Sequence, residues 1–413
     1  MVVPSSGAPG GYGAPARRRQ GGDRAGGWTC VAGPYPNDRS PLLVYAQFSG
    51  LACMWFIITI AGGPMTDTPT DISATEAVEL HRSLLSIDTH VDIPWPDRDD
   101  FATGAPSRRV DLPRMRAGSL SAACLVAYVG QGARDVAGHE AASTRAEAML
   151  HVIGETGGID GVQVCDTAAA VRAAHAAGDV AIIPAVENGY TIGEDLSLIA
   201  RFRALGARYM TLTHNGHNQL ADSARPMHHL DDPETLHGGL SGLGRDAVAE
   251  MNRVGMLVDV SHTSRDTMLQ AVGLSRAPVF ASHSCVRALC DHPRNLDDTQ
   301  LDALKACGGV IHITAMDAFL RPRDVRDMRP VTVADFVDHI DYAVQRIGIK
   351  HVGISSDFDG GGGIRGWADA SESPNLTAEL LRRGYDRSQI AALWGENFLR
   401  ILKQAEEVAR TIA

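Results

Sequence analysis

From residue 84 onward, short apolar runs alternate with longer Ala-rich stretches whose apolar positions recur at helical spacing. Eight runs, 84–91, 120–129, 180–186, 208–214, 256–261, 278–282, 308–314 and 351–356, read as strands. Helices are predicted between them, over 143–153, 167–177, 194–205, 244–254, 264–273, 297–306 and 332–347. Eight strands with intervening helices predict an α/β fold of the (β/α)8 TIM-barrel type, with the whole of 65–413 as one domain. A doubly wound open sheet would instead show a Gly-rich phosphate loop after an early strand, and none is present. The run "DGGGG" at 359–363 has no following Lys-Ser/Thr and does not make a phosphate cradle.

The polar residues that interrupt this pattern fall at the carboxyl ends of the strands. His90 and Asp92 close the first, Glu187 the third and His214 the fourth. His262, His283 and Asp357 follow the fifth, sixth and eighth. In a barrel these ends share one mouth, the face where catalytic groups gather. Strand periodicity also puts Asp88, His90 and Asp92 on one side of the first strand. Burying several ionisable groups there without compensation would cost several kcal/mol each, on the order of buried-charge penalties, and a metal ion is the natural compensation. Histidines and carboxylates with no thiolate suit zinc, or another divalent transition metal. The inventory exceeds the three protein ligands of one catalytic zinc, so two ions are expected. His262 and His283, on neighbouring strands, would share one ion, His90 and Asp92 the other, and Glu187 would bridge them. Asp88 and Asp259 are expected as buried partners of ligands, not as ligands themselves. The histidines of the 225–242 stretch are expected in a solvated, lid-like loop, and His312 either at the pocket or in the core.

The net charge of −11 argues against a nucleic-acid partner. Seven cysteines, scattered and without a CxxC pair, suggest a reducing, cytoplasmic setting. Residues 1–64 differ from the rest. A Gly/Pro/Arg-rich leader precedes the nearly uncharged run 42–63, long enough to cross a bilayer. Three readings are open for this region: a membrane anchor with Arg17, Arg18 and Arg19 on the cytoplasmic side, a signal sequence, or a protein that begins at Met65. Membrane association is expected only if 42–63 is retained. A homodimer is compatible with the sequence.

The ordered set "DTHVDIP" (88–94), "AVENGY" (185–190), "RYMTLTHN" (208–215), "LVDVSHTS" (257–264), "VFASHS" (279–284), "HPRNLDD" (292–298), "SSDFDG" (355–360) and "GENFLRIL" (395–402) resembles the membrane dipeptidase (renal dipeptidase) family, the M19 metallopeptidases. The resemblance implies a zinc-dependent hydrolase of dipeptides that uses a hydroxide bridging two Zn2+. By motif, His90, Asp92, Glu187, His262 and His283 would hold the metals. His214 would face the substrate, Arg294 would receive its carboxylate, and Asp357 would act as acid and base. A related barrel enzyme acting on another amide, lactam or ester is the alternative, and a binding protein without catalysis a further one. The sequence departs from the family pattern at Asn188, where a glycine is usual after the glutamate, and at Glu396.

Overall fold

The computed structural model describes residues 74–93 and 100–412. The leader and the apolar run 42–63 lie outside the described residues, as do all expectations placed on them. Among the described residues, nine strands run in parallel: β1 (Ile87–Asp92), β2 (Ala122–Tyr128), β3 (Val162–Val164), β4 (Val180–Glu187), β5 (Tyr209–Thr211), β6 (Leu257–Asp259), β7 (Phe280–Ser284), β8 (Val310–Thr314) and β9 (Val352–Ser355). Eight are hydrogen-bonded in the order β1-β2-β4-β5-β6-β7-β8-β9. The ends meet through the Val91–Phe358 bridge, with Asp357 N donating to His90 O (3.1 Å) and Asp92 N to Phe358 O (3.1 Å). The expected barrel is therefore present, with all eight predicted strands in it. The strand β3, not predicted, pairs outside this ring on the edge of β4. It has three residues, too few for alternation to register.

Alternation along the strands sorts side chains into two layers. Ala122, Cys124 and Val126 of β2 and Ala181, Ile183 and Ala185 of β4 point into the barrel, where they join Tyr209, Leu257, Phe280 and Val310. Ala123, Leu125, Ile182 and Val186 point out to the helices. Phe398, Leu399, Ile401, Leu402 and Ala405 of the helix Asn397–Ile412 pack into the inner cluster. His312 belongs to this layer too, edge-on to Phe280 and Phe398, and is a core residue.

The helices start where the sequence supplies caps. Thr167, Ser241, Ser264 and Asp297 each accept a hydrogen bond from a backbone N–H of the first turn, and Asp297 completes a capping box with Gln300. The five cysteines among the described residues are free. Among the described residues, no helix is long and apolar enough to cross a membrane.

Candidate metal centre at the mouth of the barrel

The strand ends carry the predicted residues to one place, but not by simple alternation. The β1–β2 register slips between Asp88 and Val91, and the β7–β8 register between Ala281 and Ser284. His90 and His283 sit inside these two irregularities, and bulges of this kind re-aim side chains beside active sites. Asp88 is paired with Ala123, a residue of the outer layer, whereas Asp92 is paired with Val126 of the inner layer. The expectation that Asp88, His90 and Asp92 share a face is thus corrected: an irregular strand does not keep a period of two. Asp88 instead ties β1 to the end of β9, accepting from Ser356 N (2.9 Å) and His90 N (3.3 Å), and burial raises its pKa to about 6.

Backbone strain gathers at the same rim. His262 (φ 64°), Asp357 (φ 60°) and Asn188 (φ 86°), next to Glu187, occupy the left-handed region that disfavours side chains. Asn188 is held there by its own amide, which donates to Val129 O (3.1 Å) and accepts from Tyr190 N (3.1 Å) and Asn218 Nδ2 (3.1 Å).

The ligand set can be read from its hydrogens. Tyr209 Oη donates its single proton to Thr89 O (2.8 Å), so its 3.1 Å contact with His90 Nδ1 has the imidazole as donor. Ser282 Oγ donates to Asp259 Oδ2 (2.6 Å), so it accepts from His283 Nδ1 (2.8 Å). His262 Nδ1 faces the side-chain Oδ1 of Asn215 (3.3 Å) and is likewise protonated. In its neutral form each of the three rings therefore presents a bare Nε2. These nitrogens converge on Glu187: His262 Nε2 is 3.1 Å from Oε1, His283 Nε2 3.5 Å from Oε1, and His90 Nε2 3.5 Å from Oε2. The His262 and His283 Nε2 atoms are 2.9 Å apart, and Asp92 Oδ1 lies 3.5 Å from His90 Nε2. Lone pairs and carboxylates thus face one another with no hydrogen between them, and His90 Nε2 and Asp92 Oδ1 are buried without a hydrogen-bond partner. Such a cluster calls for cations, and the donors are those of a divalent metal site.

Electrostatics favour that neutral form for two of the rings and a cation at the third. Burial, reinforced by Arg294, holds His262 well below the ordinary histidine value, and burial followed by His90 does the same for His283. His90 is pushed well above that value, because Glu187 and Asp92 outweigh its burial. Three groups of side chains are close enough to share an ion: His90, Asp92 and Glu187; Glu187, His214 and His262; and His90, Asp259 and His283. Asp259 is already saturated, accepting from Thr211 Oγ1, Ser282 Oγ, Ser261 N and Ser282 N at 2.6–3.0 Å, and orients ligands rather than binding metal.

Around this centre, His214 stacks on His262 with centroids 4.1 Å apart, and burial lowers its pKa to about 3. Asp357 is buried beside Asp92, and burial raises its pKa to about 8. Asp359 is not part of the site, since its oxygens accept from Arg109 N (2.8 Å) and Val110 N (3.3 Å). Arg294 is buried, with Nη2 donating to His283 O (3.2 Å) and Nε left without a partner. The sequence reading did not single out Tyr209, Ser282 and Asn215, which fix the tautomers, or Tyr128, whose hydroxyl lies 3.5 Å from His214 Nδ1. Tyr128 could have been found as the inward position ending the second strand. The 225–242 stretch is folded against the rim: Asp222 accepts from Leu236, His237 and Gly239 N–H groups, and Asp232 from His217 and Met227.

The chain is 34% identical over 357 residues to Dipeptidase verJ of Clonostachys rogersoniana, covering 82% of this chain and 89% of that protein. It is 41% identical over 240 residues to Dipeptidase aclJ of Aspergillus oryzae, a match spanning 58% of this chain and only 55% of the relative. Among solved structures, the probable dipeptidase PvdM from Pseudomonas aeruginosa superposes with a TM-score of 0.76 at 32% identity, covering 81% of this chain and 99% of that one. A metallo peptidase from Rhodobacter sphaeroides, liganded with a phosphinate mimic of the dipeptide L-Ala-D-Ala, gives 0.69 at 28%, covering 78% and 99%. The model of one family, "Membrane dipeptidase (Peptidase family M19)", matches residues 74–413, and the chain belongs to that family.

Proposed function

We propose that this chain is a dipeptidase that depends on two zinc ions. The observation that carries this reading is the convergence of three imidazole Nε2 atoms and Asp92 on Glu187, with the guanidinium of Arg294, whose Nε has no partner, beside them. The dipeptide mimic bound by the Rhodobacter sphaeroides relative supports the substrate class. His90 and Asp92 would hold one ion, His262 and His283 the other, with Glu187 shared. When bound, the pair supplies a water of lowered pKa and a Lewis acid for the scissile carbonyl.

The rest of the chemistry belongs to the protein. Arg294 receives the free carboxylate of the substrate through its planar fork, which selects short peptides over long chains. His214 stays neutral and donates a hydrogen bond to the oxygen of the attacked carbonyl as negative charge develops there. Asp357, with its pKa raised to about 8, exists in both forms near neutral pH: its ionised form takes a proton from the attacking water, and the acid so formed returns it to the leaving amine.

The test is a dipeptide panel assayed with chelator-stripped protein and during stepwise zinc addition. Activity is expected to be absent from the stripped protein and to saturate at about two equivalents, the number a bridged pair requires. Full hydrolysis without metal, or at one equivalent, would overturn the two-ion reading. Hydrolysis of a lactam or ester panel with no dipeptide cleaved would move the chain to the alternative amidohydrolase reading.

A further inference from the structure

In the neutral forms of His90, His262 and His283 the hydrogen sits on Nδ1. The neighbours of His214 arrange its hydrogen differently. Tyr128 ends β2 and is the register partner of Glu187, which ends β4. Ala122, Cys124 and Val126 of the one strand and Ala181, Ile183 and Ala185 of the other lie in the inner layer, so alternation points both Tyr128 and Glu187 into the mouth. The phenol reaches past β4 to the loop after β5. There its ring meets that of His214 with centroids 4.7 Å apart, and its hydroxyl lies 3.5 Å from Nδ1.

Tyr128 and Tyr209 differ in where their proton goes. Tyr209 Oη gives its proton to Thr89 O and therefore accepts from His90. Among the described residues, no carbonyl or carboxylate accepts from Tyr128 Oη, so its proton is available to His214 Nδ1. The imidazole has little freedom to turn away. It stacks on His262 at 4.1 Å and 36°, and its own backbone carbonyl accepts from Ser223 Oγ (2.6 Å). A neutral imidazole whose Nδ1 accepts a hydrogen bond carries its hydrogen on Nε2.

From these contacts we infer that Tyr128 is a positioning residue for His214: its hydroxyl donates to Nδ1 and holds the hydrogen on Nε2, which makes this ring a donor to the attacked carbonyl oxygen and not a further metal ligand. His214 comes close enough to Glu187 and His262 to share an ion with them, and the Tyr128 hydroxyl occupies the lone pair it would need. The 3.5 Å contact is long, as catalytic hydrogen bonds often are before substrate binds, and it tightens in the complex. The inference rests on the dipeptidase reading given above and deepens it.

The test uses the zinc-loaded enzyme, a dipeptide that the wild type cleaves, and the variants Tyr128→Phe, His214→Ala and the two combined. Tyr128→Phe keeps the ring and removes the hydroxyl. It is expected to lower kcat by about tenfold, the scale of one hydrogen bond, with KM and zinc content near the wild-type values. His214→Ala is expected to lower kcat by about 10²–10³, the usual worth of a donor to the oxyanion, and to keep its zinc. The double variant is expected to be no slower than His214→Ala, because Tyr128 acts through that ring. A nitrogen NMR spectrum of the histidine-labelled wild type is expected to show His214 with a bare Nδ1 and a protonated Nε2. Losses that multiply, a wild-type kcat in Tyr128→Phe, zinc lost from His214→Ala, or a hydrogen found on Nδ1 would each overturn the inference and leave the dipeptidase reading standing. Failure of the wild type to cleave any dipeptide overturns both.

Discussion

Asp357 shows how a residue's chemistry is set by the bend that carries it. Its left-handed backbone turns the chain out of β9, and the next residues return, with Gly360 N and Gly362 N donating to Asp357 O. Gly360 must lack a side chain, because a Cβ there would lie 2.5 Å from Asp357 Oδ1 and 2.9 Å from Asp92 Oδ2. The two carboxylates are thereby kept close, which together with burial favours the protonated form of Asp357. It belongs to none of the three ligand groups. Asp357→Asn is therefore expected to lower kcat by about 10²–10⁴, the usual worth of a positioned acid or base, while zinc content stays at the wild-type level. Metal analysis alongside steady-state kinetics checks this, and a variant with wild-type kcat removes Asp357 as the proton carrier.

At the scale of elements, the mouth is held by loops that use carboxylates as anchors. Asp232 has a fully buried side chain that accepts from His217 N and Met227 N, both at 2.8 Å, and pairs with Arg134 of the β2 loop at 2.5 Å. Removing it strands two backbone donors and an arginine. Asp232→Ala is expected to cost about 2–4 kcal/mol and to open the 225–242 stretch to protease while zinc content is retained. Melting curves and limited proteolysis decide, and an unchanged cleavage pattern would show that the loop is anchored elsewhere. The sequence displayed these elements unevenly. The eight barrel strands were legible because their apolar runs lie between helical periods, and six of them end in histidine or carboxylate. The slips in β1 and β7 were not, since a period of two assumes a regular ladder, and that is why Asp88 was placed on the wrong face. Tyr209 and Ser282 escaped notice for a related reason: their contribution is a single proton given to Thr89 of β1 or to Asp259 of the neighbouring β6, which no local spacing encodes. The helix Asn397–Ile412 was seen only as a motif, because its partners, such as Phe280, are more than a hundred positions away.

At the scale of the whole molecule, buried histidines outside the metal centre bind the fold's stability to pH. Burial lowers His81 and His339 to about 4 and His312 to about 3. His339 is fixed as a neutral ring, its Nδ1 accepting from Val286 N (3.0 Å) and its Nε2 facing Leu320 O (2.9 Å). Each of these groups titrates near 6.5 in the unfolded chain, so between about 6.5 and 4 the unfolded state binds more protons than the folded one. Their stabilising contribution is complete above that window and is lost as pH falls through it, about 3 kcal/mol for each shift of this size. Asp88 works the other way. Its folded pKa of about 6 lies above the unfolded value, so it favours the fold as pH falls and offsets one of the three histidines. The net effect is still a loss, three histidines against one aspartate, and metal release adds to it because protons compete for the Nε2 atoms of His90, His262 and His283. Stability is therefore expected to fall from pH about 6.5 to 4, more steeply for the zinc-loaded protein than for the stripped one. His339→Gln, which keeps a donor and an acceptor without a titrating ring, is expected to flatten the slope in both forms. Denaturant unfolding across this range measures each slope. A flat profile in the stripped protein would mean that these three rings do not stay neutral in the fold, and equal slopes with and without zinc would mean that the Nε2 atoms do not hold the metal.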